Sequence, residues 1–420
     1  MSEQIWFAGV DWGTEDHVAC LIDATGKVIA ERSFRHSGAG LAELCAWLID
    51  KSGSAPASIY VGIETPHGAV VETLLERGMI VHSINPKQLD RFRDRFTVAG
   101  AKDDRRDAHV LADSLRTDAK CFRRLRVDDA RVIELREWSR IEEELGHERV
   151  RYANRLREQL LRYYPQMLEL TDDVADDWFL ELWKLVPTPA AAARVREKSI
   201  AKLLIERRIR RFDAQHVLAT LRQKPLTVAP GTAEAACAHI ASLADRLHLV
   251  NRQLKEAHRK LDVLINELAE PESEPGQKCE HRDVNILRSL PGVGRIVLAT
   301  MLAEAWQPLA ERDYHRLRLL CGAAPVTQQT GKQGKKKNPR HRPLVLMRQA
   351  CSVRLRNAGF HWANIARQHD PKSAAAYAAL RARGHTHARA LRTIVDRLLA
   401  VACAMLRDRA LWDEQRRLAA

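Results

Sequence analysis

The chain has 420 residues, 45% of them hydrophobic and 29% charged, with a formal net charge of +14. That length exceeds one ordinary core, so two or three domains are expected. No apolar run reaches the roughly 20 residues that a membrane helix needs, and no CxxC pair or zinc spacing joins the eight cysteines, which argues against a disulfide scaffold or a zinc module.

"MSEQIWFAGVDWG" runs into a strand pattern without a leader, and scattered cysteines suit reduced thiols, so a cytoplasmic protein is expected. "CEH" at Cys279 to His281 is the nearest approach to a metal spacing and reads as chance. "IWFAGV" is a strand buried on both faces, and "HVACLI", the turn "DATG" and "VIAERSF" are its hairpin partner and a third strand. "AGLAELCAWLIDKSG" has helical spacing and a glycine stop. "SIYVGIE" and "MIVHSI" are further strands joined by the helix "HGAVVETLLERG", and the rest to residue 130 is helical. Three antiparallel strands followed by helix-linked strands is the order of RNase H-like (RuvC-like) folds, a fold analogy only.

Residues 131–270 form a helical, coiled-coil region. Leu243, Leu247, Val250, Leu254, Ala257, Leu261, Leu264 and Leu268 recur at alternating spacings of four and three, an a/d seam. A looser seam runs through Leu145, Tyr152, Leu156, Tyr163 and Met167. The two seams can pair within one chain or with a second subunit. Residues 170–240 form a helical insertion of unassigned purpose. Residues 271–285 are a linker by composition, and 286–420 form a basic, mostly helical domain.

The excess charge is concentrated. Tyr314 to His369 holds twelve Lys and Arg and no acid, which points to a polyanion, since each neutralised phosphate releases condensed counterions. Within it, "TGKQGKKKNPRHR" places Lys332, Lys335, Lys336, Lys337, Arg340 and Arg342 in a glycine-containing stretch, with Arg348 just beyond. "LPGVG" puts Gly292 and Gly294 between two helical patterns, where backbone N–H groups can approach a phosphate. A plain turn between packed helices accounts for the same residues.

The acids pose a sharper question. In "AKDDRRDAHVLAD", Asp104 and Asp107 share a helix face, and so do Asp103 and Asp107. For this helix alone, an acidic start favoured by the macrodipole suffices. Asp11, however, ends the strand in "GVDWG", and Glu64 ends the strand in "GIETPHG". Charges at the ends of apolar strands are costly unless paired or metal-bound. Together the acids suit a hard divalent cation, Mg²⁺ or Mn²⁺.

"GVDWG", "GIETPHG" and "AKDDRRDAHVLAD" resemble the three blocks of the DEDD transposases of bacterial insertion sequences, a family that includes bridge-RNA-guided recombinases and Piv-type DNA invertases. The resemblance implies Asp11, Glu64, Asp104 and Asp107 as the metal quartet, with Asp103 a bystander. "GAAPVTQQTG" resembles the family block that carries a nucleophilic serine, and the aligned residue is Thr330, with Thr327 the alternative hydroxyl. A threonine keeps the oxygen chemistry but adds a methyl and a stiffer χ1. The resemblance thus implies a site-specific DNA recombinase, a structured guide RNA as partner, and a homo-dimer or homo-tetramer for which the Leu243–Leu268 helix is a candidate interface. Two readings stand beside it: a RuvC-like, metal-dependent structure-specific endonuclease, and a catalytically impaired nucleic-acid-binding protein.

Overall fold

The apolar run Trp6–Asp11 forms β1, and Asp16–Ile22 (β2) and Val28–Arg35 (β3) complete an antiparallel meander with it. The computed structural model describes residues 4–96, 103–126, 129–270, 282–328 and 344–413, divided into two compact units, Met1–Asp129 and Ala130–Ala420. In the first unit, α1 (Gly38–Ser52) leads to β4 (Ile59–Ile63), and α2 (Ala69–Glu76) leads to β5 (Ile80–Ser83). Both strands run parallel to β1. Then come α3 (Pro86–Arg93), α4 (Asp104–Asp118) and the two-residue β6 (Arg123–Arg124). The sheet order is β3-β2-β1-β4-β5-β6. Edge strand β6, paired antiparallel to β5, is too short to leave a periodic pattern and was not foreseen.

The two faces of this sheet are covered differently. Ala8, Val10, Val61 and Ile63 face a core shared with Leu44, Leu48 and Leu74 of α1 and α2. Gly9 and Gly62 point the other way and are register partners on β1 and β4. A Cβ at Gly9 would lie 1.9 Å from the carbonyl oxygen of Ala108, and one at Gly62 would lie 2.9 Å from that of Leu111. Helix α4 therefore rests on the strands backbone to backbone, a contact no larger residue permits. Ala108 and Ala112, small residues on the helix side, complete it.

The second unit is built on two long helices, α5 (Ala130–Tyr163) and α10 (Thr232–Ala269). Contacts between Glu142 and His258, and between Arg149 and Asn251, show them to be antiparallel. Of the a/d seam, Leu243, Leu247, Val250, Ala257, Leu261, Leu264 and Leu268 are buried within this one chain. The seam is thus already occupied, and an interface with another copy would need a different surface.

Each end of the pair carries its own cluster. At one end, α6 (Asp177–Leu185), α7 (Pro189–Arg194), α8 (Glu197–Glu206) and α9 (Ala214–Leu221) pack around Tyr163, Tyr164, Trp178 and Trp183. At the other end, α11 (Arg282–Ser289), α12 (Arg295–Ala310) and α13 (Tyr314–Leu320) lead to a ribbon of β7 (Val326–Gln328) and β8 (Leu344–Leu346). Helices α14 (Val353–His369), α15 (Pro371–Ala382) and α16 (His387–Asp408) close that core with Val132, Leu135 and Leu261. Helix α11 begins at Arg282, inside the stretch read as linker, and the ribbon was read as part of a helical domain. No described helix is long and apolar enough to cross a membrane.

The glycine seat gives a direct test. Replacing Gly9 with Ala forces α4 off the strands and should cost about 3 kcal/mol or more of unfolding free energy, at the upper end for overpacked cores. Gly38→Ala, where a Cβ meets nothing within 4 Å, should change it by less than about 0.5 kcal/mol in the same denaturant titration.

Candidate active site

The seat on Gly9 and Gly62 also sets the direction of α4. Arg116, near its end, lies against Gly26 in the β2–β3 turn, which is at the amino end of β1 because Phe7 pairs with Ile22. The first turn of α4 therefore lies at the carboxyl ends of β1 and β4. Asp11 is the last residue of β1, and Glu64 immediately follows β4. Side chains two apart on a strand share a face, so Asp11 emerges on the side that Gly9 opens to α4, and Glu64, one residue past β4, stands at the same end. All four acids of the quartet thus stand at one end of the sheet.

Their environments differ. Asp107 is 2% exposed, and its Oδ1 accepts a 2.8 Å bond from Nε of Arg93 on α3, whose Nη1 also donates to Asp90. Asp104 is exposed, and Asp11 and Glu64 are half-buried. Asp103 is the N-cap, its side chain accepting from the Arg105 amide at 3.2 Å. It satisfies an orphan donor of the helix start, so the neighbouring aspartates in "DDRRD" have separate tasks. Among the described residues, no group of three or more Asp, Glu, His and Cys is gathered closely enough to hold an ion. The guanidinium of Arg93 supplies the positive charge beside Asp107.

The turn after Asp11 is held by a buried histidine. Nδ1 of His17 accepts from the Gly13 amide (3.3 Å), and its Nε2 lies 2.8 Å from Nδ1 of His36. With Nδ1 accepting, neutral His17 carries its proton on Nε2 and donates to His36. Burial first, and the neighbouring His36 second, hold the His17 pKa below its usual value.

In the second unit, the Gly292 and Gly294 of the "LPGVG" turn separate by role. Gly292 has φ +81°, and a Cβ there would lie 2.7 Å from the Ala366 amide, so it serves packing against α14. Gly294 opens onto space at the start of α12, beside Ile365 and His369. Thr327 is exposed on β7. Thr330, Lys332, Lys335, Lys336, Lys337, Arg340 and Arg342 lie outside the described residues. Arg348 is half-buried and donates to the Ala350 carbonyl at 3.0 Å.

Not every cation in the acid-free window is available to a polyanion. Arg318 makes a two-pronged pair with Asp396 (2.9 and 2.6 Å). Arg354 bridges Glu143 of α5 and Glu304 of α12, and Arg316 meets Glu311. Folding brings distant acids to Arg318 and Arg354, whereas the partner of Arg316 lies five residues before it, just outside the window.

Sequence reasoning missed Arg93, His17 and the glycine seat. The last did leave a signal: "GVD" and "GIE" place a glycine two residues before each strand-end acid. The spacing puts the helix seat and the carboxylate on one face.

A basic protein whose α/β unit presents acids from two adjacent strand ends and one helix start is the class this geometry defines. Residues 8–165 match the DEDD model of IS110 elements, described as a transposase, and residues 284–379 match the transposase IS116/IS110/IS902 family. The IS117 mini-circle protein of Streptomyces coelicolor is 30% identical over 98% of this chain and 96% of its own length. The y4uE protein of Sinorhizobium fredii is 62% identical over 50% of this chain, a match spanning 58% of that protein. The IS110 insertion-element protein of S. coelicolor is 27% identical over 97% of this chain and 96% of its own length. The chain belongs to the IS110 family of insertion-sequence transposases. Membership implies DNA cutting and rejoining in general, a DNA partner, and the divalent metal typical of DEDD transposases.

Two outcomes check the electrostatics. Removing the Arg93 side chain (Arg93→Ala) leaves Asp107 buried without its counterion and should cost about 3 kcal/mol. Adding Asp107→Asn to that variant should recover part of the loss, and simple additivity in the double-mutant cycle would refute the pairing. His17 has a depressed folded pKa, so the unfolded chain binds the extra proton first. Stability is full above the unfolded value near pH 6.5 and falls as pH drops below it. His17→Gln should flatten that fall in thermal melts between pH 7 and 5.

Proposed function

We propose that this transposase is a site-specific DNA recombinase that cuts and rejoins strands through the Thr330 hydroxyl, assisted by the acids Asp11, Glu64, Asp104 and Asp107. The observation that carries the reading is the seat of α4 on Gly9 and Gly62, which brings the Asp104 and Asp107 turn to the strand ends bearing Asp11 and Glu64. The sheet order, with β1–β3 antiparallel and β4 and β5 parallel to β1, supports an RNase H-like fold for this unit.

The donor set is oxygen alone, which fits a hard divalent cation such as Mg²⁺ or Mn²⁺. Asp11, Glu64, Asp104 and Asp107 would hold it, and Arg93 would have to yield Asp107. When bound, such a cation neutralises charge on the phosphate and lowers the cost of the attacking and leaving oxygens.

This chain's own residues supply the remainder. The Thr330 oxygen forms a bond to phosphorus as the bond from phosphorus to one sugar oxygen breaks. The threonine proton departs, and the freed sugar oxygen takes one up. Rejoining reverses the exchange with a different sugar hydroxyl, so the number of phosphate ester bonds is conserved and no external energy source is needed. The cationic residues Lys332, Lys335, Lys336, Lys337, Arg340, Arg342 and Arg348 bind phosphates, and Gly294 lets an amide approach one. A structured RNA that pairs with donor and target DNA would supply sequence choice, leaving shape and backbone to the protein. Exchange of two duplexes calls for a homo-dimer or homo-tetramer.

The test is incubation with the element's own DNA ends, any adjacent non-coding RNA and Mg²⁺, followed by a denaturing gel. A covalent protein–DNA adduct should form. It should persist with Thr330→Ser and vanish with Thr330→Ala. Asp11→Asn, Glu64→Gln, Asp104→Asn or Asp107→Asn should each lower it about 100-fold or more. Strand cleavage surviving Thr330→Ala would instead establish the water-dependent endonuclease. Salt-sensitive binding with no cleavage would establish a binding protein only.

A further inference from the structure

Immediately past Asp11 the chain makes a tight turn that carries an indole outward. Trp12 is 43% exposed, although single exposed apolar residues are common and prove nothing alone. What sets this one apart is how it is presented. A Cβ at Gly13 would lie 2.3 Å from the Asp16 carbonyl oxygen, so only glycine lets the turn close. The Gly13 amide is held by buried His17 (3.3 Å), His17 by His36 (2.8 Å), and the His36 amide donates to the Glu15 carbonyl at 2.7 Å. Both sides of the turn are pinned, so the indole is offered to solvent from a rigid mount.

Its position is the second observation. Trp12 follows a strand-end acid, on the same end of the sheet as the first turn of α4. Arg35, which pairs with Asp16 in register at that end, and Arg105, in that first turn, are exposed. Acids flank the indole in its own turn (Asp11, Glu15 and Asp16). An aromatic face at an end that also exposes these two arginines suits a ligand with flat apolar faces and a negatively charged backbone.

We infer that Trp12 stacks on an unpaired nucleobase of the polynucleotide brought to the carboxylate end. The inference rests on the proposed function, which directs that end toward DNA. A base within a continuous duplex has both faces covered, so the stacked base must be terminal, frayed or displaced. Stacking tolerates any base, since every base has a π-face, and here it would hold one strand in place beside the bond to be cut.

The test uses the full chain with Ca²⁺ in place of Mg²⁺, so that the carboxylates are screened while binding is read without cleavage. A single-stranded oligonucleotide carrying 5-iodouracil is bound and irradiated, and the adduct is mapped by mass spectrometry. The tryptic peptide ending at Lys27 has Trp6, Phe7 and Trp12 as its aromatic residues, and the adduct should fall on Trp12. Trp12→Ala should weaken single-strand binding about tenfold and duplex binding less than about twofold, while Trp12→Phe should stay within about threefold. Wild-type single-strand affinity in Trp12→Ala, or equal losses on single strand and duplex, would overturn the inference. A parallel Mg²⁺ cleavage assay separates the two claims. Wild-type protein that never cuts defeats the proposed function and leaves the stacking result standing.

Discussion

Backbone contact between α4 and two paired strands is the constraint on which the candidate site depends. Most helix–sheet packing is mediated by side chains, which leave several ångströms of adjustable space. Here Gly9 and Gly62 remove that space, and the Ala108 and Leu111 carbonyls sit where side chains would otherwise begin. The gain is positional. A helix that cannot slide fixes where its first turn ends, and that turn carries Asp104 and Asp107. Because side chains alternate along a strand, Asp11, two beyond Gly9, faces the same helix. The chain places a second acid, Glu64, two beyond Gly62, just past the end of β4.

Gathering carboxylates at one end of a sheet costs free energy, since like charges repel and Asp107 is almost fully removed from water. For the buried one the structure supplies a cation: Arg93 reaches across from α3 to Asp107, while Asp103 caps the helix. The four acids are therefore graded: one buried and paired, two half-buried, one exposed. On the proposed reading, the innermost charge is already balanced before a strand arrives.

The parts of the fold governed by local pattern were legible in the sequence. The strands β1 to β5, the helices between them and the a/d seam of α10 all follow periodicities that a short window reveals. Pairing beyond the window was not legible. The seam could have met a second subunit; α5, itself only loosely patterned, takes it instead. The twelve cations between Tyr314 and His369 suggested one basic surface. Glu143, Glu304 and Asp396 neutralise part of it from elements far away in the chain, as in the Arg354–Glu143 pair with a separation of 211. Arg93 was invisible for the same reason. An arginine on a polar helix carries no mark of the buried carboxylate it will meet.

The counterion of Asp107 bears on the order of events. A zinc module has no stable fold until its ion arrives, because the ion contributes the energy of folding. In this unit the energy resides in apolar residues such as Val10, Val61, Leu48 and Leu74, all buried, and in the glycine seat of α4. Buried Asp107 is tolerated because Arg93 already engages it. On the proposed reading, folding and cation binding are then separate steps. The cation matters when a phosphodiester, itself negative, must approach four carboxylates that would otherwise repel it. Binding of nucleic acid and of the cation at that end should therefore favour one another, each relieving the charge that opposes the other.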